Sequence, residues 1–178
     1  MNLKNFFVKD YIIALDIGSG SVKMLQFVNA ETGLSLINIE LRELSYTNDR
    51  NKYLAELLSS LTDIFKDIDL TKAKVIVGVS AAESGISMLS TPRLPEDELI
   101  DHVRLELKDS LFENIANCYV DYDIIDEIVV DGVEQYKLIA AFCPIDIIEE
   151  YRDLLNKAGI KPAILIPDSF ALYALCKF

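Results

Sequence analysis

One short segment, Tyr11–Phe27 (Y-I-I-A-L-D-I-G-S-G-S-V-K-M-L-Q-F), constrains the fold more than any other. An apolar strand runs into Asp16, a Gly18-Ser19-Gly20-Ser21 turn follows, and a second apolar strand carries Lys23 near its start. Two apolar strands joined by so tight a turn form an antiparallel hairpin. Its tip collects a carboxylate, small hydroxyls, backbone N–H groups and an ammonium. A metal-bound nucleotide phosphate is one of the few ligands that needs all four.

Each group has a distinct expected role. Gly18 and Gly20 permit positive φ, so their N–H groups are expected to converge into an anion-binding nest. Ser19 and Ser21 add hydroxyl donors. Asp16 faces a hydrated Mg²⁺ in preference to phosphate, and Lys23 supplies a compact positive charge. The segment is neither the G-x-x-x-x-G-K-[ST] loop nor a dinucleotide fingerprint, because a strand follows the turn where those motifs need a helix. On spacing alone, an ordinary Gly-Ser turn beside an incidental Asp is an equal reading.

The remaining pattern is α/β. Leu34–Leu44 makes a third strand after a turn at Glu31-Thr32-Gly33. Thr47-Asn48-Asp49 offers a cap for a helix over Arg50–Lys66, whose Leu54, Leu57, Leu58, Leu61, Ile64 and Phe65 recur at helical spacing. Lys74–Ser80 is a buried strand. Next come a strand at Gly85–Ser90, a helix over Glu96–Leu111 striped by Leu99, Val103, Leu107 and Leu111, and strands at Tyr119–Asp126 and Glu134–Phe142 joined through Asp131-Gly132. Pro144 suits the first position of a helix that ends at Gly159. Ala163–Pro167 is a strand, and Asp168 or Ser169 caps a helix over Phe170–Phe178 that lacks a stop signal, which reads as a cut in a longer chain.

Composition excludes several classes. The net charge of −12, without a Lys/Arg cluster, argues against nucleic acid and anionic membranes. Cys118, Cys143 and Cys176 form no C-x-x-C pair, so a reducing cytoplasm is expected without disulfides or zinc. Met1–Asp10 is too short and polar for a signal peptide. Its Phe6, Phe7 and Val8 read as a lead-in packing on the body. His102 lies off the helix stripe and reads as a rim histidine. Asp121, Asp123, Asp126 and Glu127 read as a solvated edge in preference to a cation site.

Several further segments are specific: P-R-L-P-E-D-E-L-I-D-H-V-R-L-E-L-K, V-D-Y-D-I-I and K-A-G-I-K-P-A-I-L-I-P-D-S-F-A-L. With the opening F-F-V-K-D-Y-I-I-A-L-D-I-G-S-G-S-V-K-M-L-Q-F, they resemble the N-terminal half of the type IV pilus assembly PilM family. That family is related to FtsA within the actin-like ATPase superfamily, and D-I-G-S-G-S-V-K alone is similar to the superfamily's first phosphate motif. The resemblance implies an actin-like (RNase H-like) subdomain 1A from residues 1–83 and 144–178, with a strand-helix-strand-strand (SHS2) subdomain 1C inserted at 84–143. It implies that Asp16 acts on Mg²⁺ through water, that Gly18, Ser19, Gly20 and Ser21 wrap the phosphates of ATP, and that Lys23 assists. No catalytic residue is implied.

The implied function is a cytoplasmic scaffold of the pilus inner-membrane platform, peripheral to the membrane through its partner. In the family, the N-terminal tail of the membrane protein PilN docks between the main and inserted subdomains, and other platform proteins are further expected partners. Two departures matter. Ser110–Ile115 replaces the proline-containing stretch that usually follows the insert helix. The family's second half, which carries the second phosphate motif and adenosine pocket, is missing, so this chain alone is expected to bind ATP weakly or not at all and not to hydrolyse it. Two alternatives are a type II secretion adaptor of the same fold without nucleotide, and a small-molecule kinase of the same superfamily.

Overall fold

Period-two alternation and tight turns produce the first sheet. The computed structural model describes residues 10–30, 33–110 and 114–176. In chain order its elements are β1 (Tyr11–Ile17), β2 (Ser21–Ala30), β3 (Gly33–Glu43), α1 (Arg50–Phe65), β4 (Ala73–Val79), β5 (Gly85–Pro92) and α2 (Glu96–Ser110). They continue with β6 (Cys118–Val130), β7 (Val133–Pro144), α3 (Ile145–Lys157), β8 (Pro162–Pro167) and α4 (Asp168–Cys176). The chain packs as two compact units: one up to Ser80 with Glu150–Asp168, the other Ala81–Glu149 with the chain from Ser169.

The first unit holds a five-stranded sheet ordered β3-β2-β1-β4-β8. β1, β2 and β3 pair antiparallel, and β4 and β8 add in parallel. Register puts Ile13, Leu15 and Ile17 of β1, Val22 and Met24 of β2, and Val75, Val77 and Val79 of β4 on one face, all buried. Burying each such side chain stabilises by about 1.5–3 kcal/mol. α1 buries Leu57, Leu61, Ile64 and Phe65, and α3 buries Tyr151, Leu154 and Leu155. The opposite face of β2 and β3 exposes Leu25, Ile39 and Leu41.

Local chemistry sets the helix ends. The Asp49 carboxylate accepts the N–H groups of Asn51 (3.0 Å) and Lys52 (3.3 Å) at the start of α1. At the end of α3, Gly159 takes φ +76°, its N–H reaches Asn156 O (3.0 Å), and Ile160 N–H reaches Leu155 O (2.8 Å). This is a Schellman cap, and its apolar partners Leu155 and Ile160 are fully buried.

The second unit holds an antiparallel sheet ordered β5-β7-β6. Leu99, Val103 and Leu107 of α2 pack with Ile115, Cys118, Leu138, Ala140 and Phe142. Asp131 (φ 50°) and Gly132 (φ 80°) make the β6–β7 turn, as the Asp-Gly dipeptide predicts. Three details differ from sequence expectation. β6 and β7 run longer, because a bulge between Ile124 and Asp126 lets the ladder continue to Val130 and Val133. Pro144 pairs with Cys118 as the last residue of β7, so α3 begins one residue later, at Ile145. β5 extends through Thr91 and Pro92, which pair with Tyr136 and Gln135. The lead-in Phe6, Phe7 and Val8, the Glu31-Thr32 part of the second turn, and Leu111 with its neighbours Phe112 and Glu113 lie outside the described residues.

Candidate functional site

The hairpin expected at Tyr11–Phe27 forms, with Asp16 directly opposite Lys23 and Ile17 opposite Val22. Lys23 Nζ donates to Asp16 Oδ2 at 2.8 Å, and both side chains are about half exposed (55% and 46%). Ser19 and Gly20 at the tip are exposed. Among the described residues, the N–H groups of Ser19 and Gly20 and the hydroxyls of Ser19 and Ser21 have no partner.

One expectation is corrected. Neither Gly18 nor Gly20 adopts positive φ; among the described glycines, Gly33, Gly132 and Gly159 do. Gly18 N–H is instead spent on Ser21 O at 3.0 Å, which closes the hairpin. The ladder therefore claims one amide that the nest reading had reserved for an anion, and the donors left at the tip are those of Ser19 and Gly20. A Cβ on Gly18 would meet Ser21 O at 3.3 Å, whereas one on Gly20 would meet nothing within 4 Å.

Three residues shape this tip without having stood out in the sequence. Tyr53 of α1 donates its hydroxyl to Gly18 O at 3.1 Å, tying the helix to the turn. Arg50, one turn earlier, stacks over the Tyr53 ring at 5.3 Å and ion-pairs with Glu150 of α3. Gly78 of β4 lies beside Asp16 in register, and a Cβ there would sit 3.8 Å from Asp16 Oδ1. Its missing side chain keeps one side of the carboxylate open. Separation in sequence hid the first contact, and the bland V-I-V-G-V strand hid the second.

The other candidates lie in the second unit. His102 Nε2 is 3.6 Å from Glu106 Oε1 on α2 and makes no hydrogen bond. On β6, the Asp121 and Asp126 carboxylates accept the N–H groups of Tyr122 and Glu127, both at 2.9 Å, and Glu127 pairs with Arg93 at 3.3 Å. Among the described residues, no group of three or more His, Cys, Asp or Glu side chains is placed to hold a metal ion. Cys118 and Cys143 are buried free thiols. Burial pushes Cys143 up to about 12, and its Sγ donates to Glu83 O at 3.4 Å. Burial raises Cys118 as well.

A family model described as "Type IV pilus assembly protein PilM" matches residues 14–178. The chain belongs to that family. A chain of the solved "PilM-PilN type IV pilus biogenesis complex" superposes with a TM-score of 0.75 at 19% identity, over 92% of this chain and 49% of the other. The cytoplasmic domain of EpsL, an inner-membrane component of the type II secretion system of Vibrio cholerae, superposes with a TM-score of 0.60 at 14% identity, over 89% of this chain and 57% of the other. This member of the PilM family thus has the mixed α/β, actin-like fold that its sequence implies. It spans about half the length of these relatives. No curated protein matches it. Among the described residues, no helix is long and apolar enough to cross a membrane.

Proposed function

We propose that this chain is the phosphate-binding half of a pilus assembly scaffold that holds ATP with Mg²⁺ at the β1–β2 hairpin. The observation that carries the reading is the unpartnered donor set at the exposed tip, the Ser19 and Gly20 amides with the Ser19 and Ser21 hydroxyls, directly above the Asp16–Lys23 pair. These donors match a polyphosphate: amides and hydroxyls for its oxygens, an ammonium for its charge, and a carboxylate for water on a divalent ion. Mg²⁺, when bound, neutralises phosphate charge. Asp16 would hold that ion through its water shell, and Lys23 would set its ammonium against a phosphate oxygen. In this reading the hairpin is a holding site and not a site of rapid turnover.

In this proposal, residues 84–143 form subdomain 1C inserted in a subdomain 1A made of 1–83 and 144–178. The scaffold is cytoplasmic and binds the N-terminal tail of a PilN-like membrane protein, through which it reaches the inner membrane. Family membership supports this partner, as does the likeness to a chain of the solved PilM-PilN complex.

Calorimetry on the full-length protein tests both arms. Mg²⁺–ATP is expected to bind, and Asp16→Asn is expected to remove the Mg²⁺ dependence and weaken binding about 10–100-fold. Asp16 and Lys23 are half exposed, so the same change is expected to alter folding stability by less than about 1 kcal/mol. Unchanged Mg²⁺–ATP binding in Asp16→Asn overturns the phosphate reading. Absence of nucleotide binding with intact tail-peptide binding leaves the nucleotide-free adaptor reading in its place.

A further inference from the structure

The geometry points to β3 as the contact through which two copies of this chain pair, edge to edge and antiparallel, about a two-fold axis at Leu41. This inference is independent of the phosphate reading. β3 is the terminal strand of its sheet, and its aliphatic side chains are exposed, Ile39 at 61% and Leu41 at 54%. Natural edges are commonly guarded by Pro, Lys, a bulge, inward-pointing charge or a short length, and here the bulge and the Glu40–Arg42 pair limit the pairing to one short register without closing the edge. β3 runs eleven residues, G-L-S-L-I-N-I-E-L-R-E, with neither Pro nor Lys.

Its backbone defines the available register. Leu44 N–H donates to Gly20 O at 2.9 Å. Antiparallel ladders alternate, so Arg42, Glu40 and Asn38 also turn their N–H and C=O groups toward β2. Ile39, Leu41 and Glu43 therefore turn theirs to the outer edge, which no other described strand covers; in the single chain Arg42 Nη1 donates to the Leu41 carbonyl there at 3.0 Å, and pairing requires that side chain to swing off it toward Glu40 of the second copy. A bulge interrupts the ladder between Gln26 and Phe27, leaving Ile37 as the extra residue. The regular stretch is Asn38–Leu44, and Leu41 is its midpoint.

Charge selects the same axis. Glu40 and Arg42 flank Leu41 and share the face away from Leu41, ion-paired to each other at 2.8 Å. A two-fold at Leu41 sets Glu40 opposite Arg42 of the second copy, twice. It also sets Leu41 against Leu41, and Ile39 against Glu43 in hydrogen-bonded register. Moving the axis by one residue sets Glu40 against Glu40 or Arg42 against Arg42, and like charges directly opposite destabilise a sheet. The chain carries a net charge of −12, so long-range repulsion opposes any dimer, and screening by salt relieves it.

Sedimentation and light scattering of the chain, from low to high micromolar concentration at moderate salt, test the pairing. A concentration-dependent dimer is expected. Arg42→Glu is expected to weaken it about tenfold, by replacing two opposite-charge pairs with two like-charge pairs, and the swap Glu40→Arg with Arg42→Glu to restore it. In a Cys176→Ser background, Leu41→Cys is expected to give a disulfide-linked dimer under mild oxidation, because Cα atoms of a hydrogen-bonded pair lie about 5.5 Å apart. Ile39→Cys is expected to give none. Circular dichroism and thermal melts confirm that each variant folds. A monomer at every concentration, a dimer indifferent to Arg42→Glu, failure of the charge swap to rescue, or cross-linking at residue 39 in place of 41 overturns the proposal. So does a dimer that dissociates only when Leu36→Ser alters the outer face of the sheet.

Discussion

At the scale of single residues, the tip of the β1–β2 hairpin depends on a side chain far from it in sequence. Tyr53 holds Gly18 O from α1, so it fixes the turn without touching any ligand. Removing one such partly buried hydrogen bond costs about 0.5–1.5 kcal/mol. Tyr53→Phe is therefore expected to lower the melting temperature by a few degrees and to weaken Mg²⁺–ATP binding several-fold through a looser tip. Thermal melts and calorimetry on the same variant check the two effects. Cys143 gives a prediction of a different kind. Its thiol holds its proton up to about 12 in the folded chain, against an ordinary value of 9.0. The folded state thus keeps a proton that the unfolded state releases. This contribution to stability is complete below pH 9 and is lost as pH rises from about 9 to about 12. Denaturant titrations across that window are expected to show a falling midpoint, and Cys143→Ala to fall less steeply. A thiol reagent at pH 8 is expected to spare Cys143 until the chain unfolds.

At the scale of elements, much was legible because the local signals were strong. The β1–β2 hairpin, the Asp49 cap, the Asp131-Gly132 turn and the Gly159 stop each rest on chemistry contained within a few neighbouring residues. The Schellman cap is the clearest case. With φ at +76°, Gly159→Ala meets no steric neighbour but is forced into left-handed backbone. A loss of about 1 kcal/mol is expected from chemical denaturation, whereas Gly20→Ala, in open space without positive φ, is expected to lose less than half as much. What the sequence hid depended on distant pairing. The glycines of the hairpin looked reserved for a nest, yet the antiparallel ladder claimed Gly18 N–H. The bulges at Ile37 and beyond Ile124 come from matching two strands, and neither strand alone announces them. Gly78 revealed its part beside Asp16 only once β4 lay parallel to β1.

At the scale of the molecule, each compact unit has its own core, built on α1 and the five-stranded sheet in one and on α2 and the three-stranded sheet in the other. Leu61→Ala and Leu107→Ala each open a cavity at a fully buried site, at a cost of about 2–5 kcal/mol. Native-state hydrogen exchange is expected to localise the damage: faster exchange in Ile13–Ile17 for the first change, and in Leu138–Phe142 for the second. The first unit is discontinuous in sequence, and β8 takes its place beside β4 only after Ala81–Glu149 has been made. During synthesis β4 must therefore wait with one flank unpaired while the ribosome delivers the whole central stretch. A pause in translation there would lengthen the interval in which a nascent chain can be captured by a chaperone or by the wrong strand.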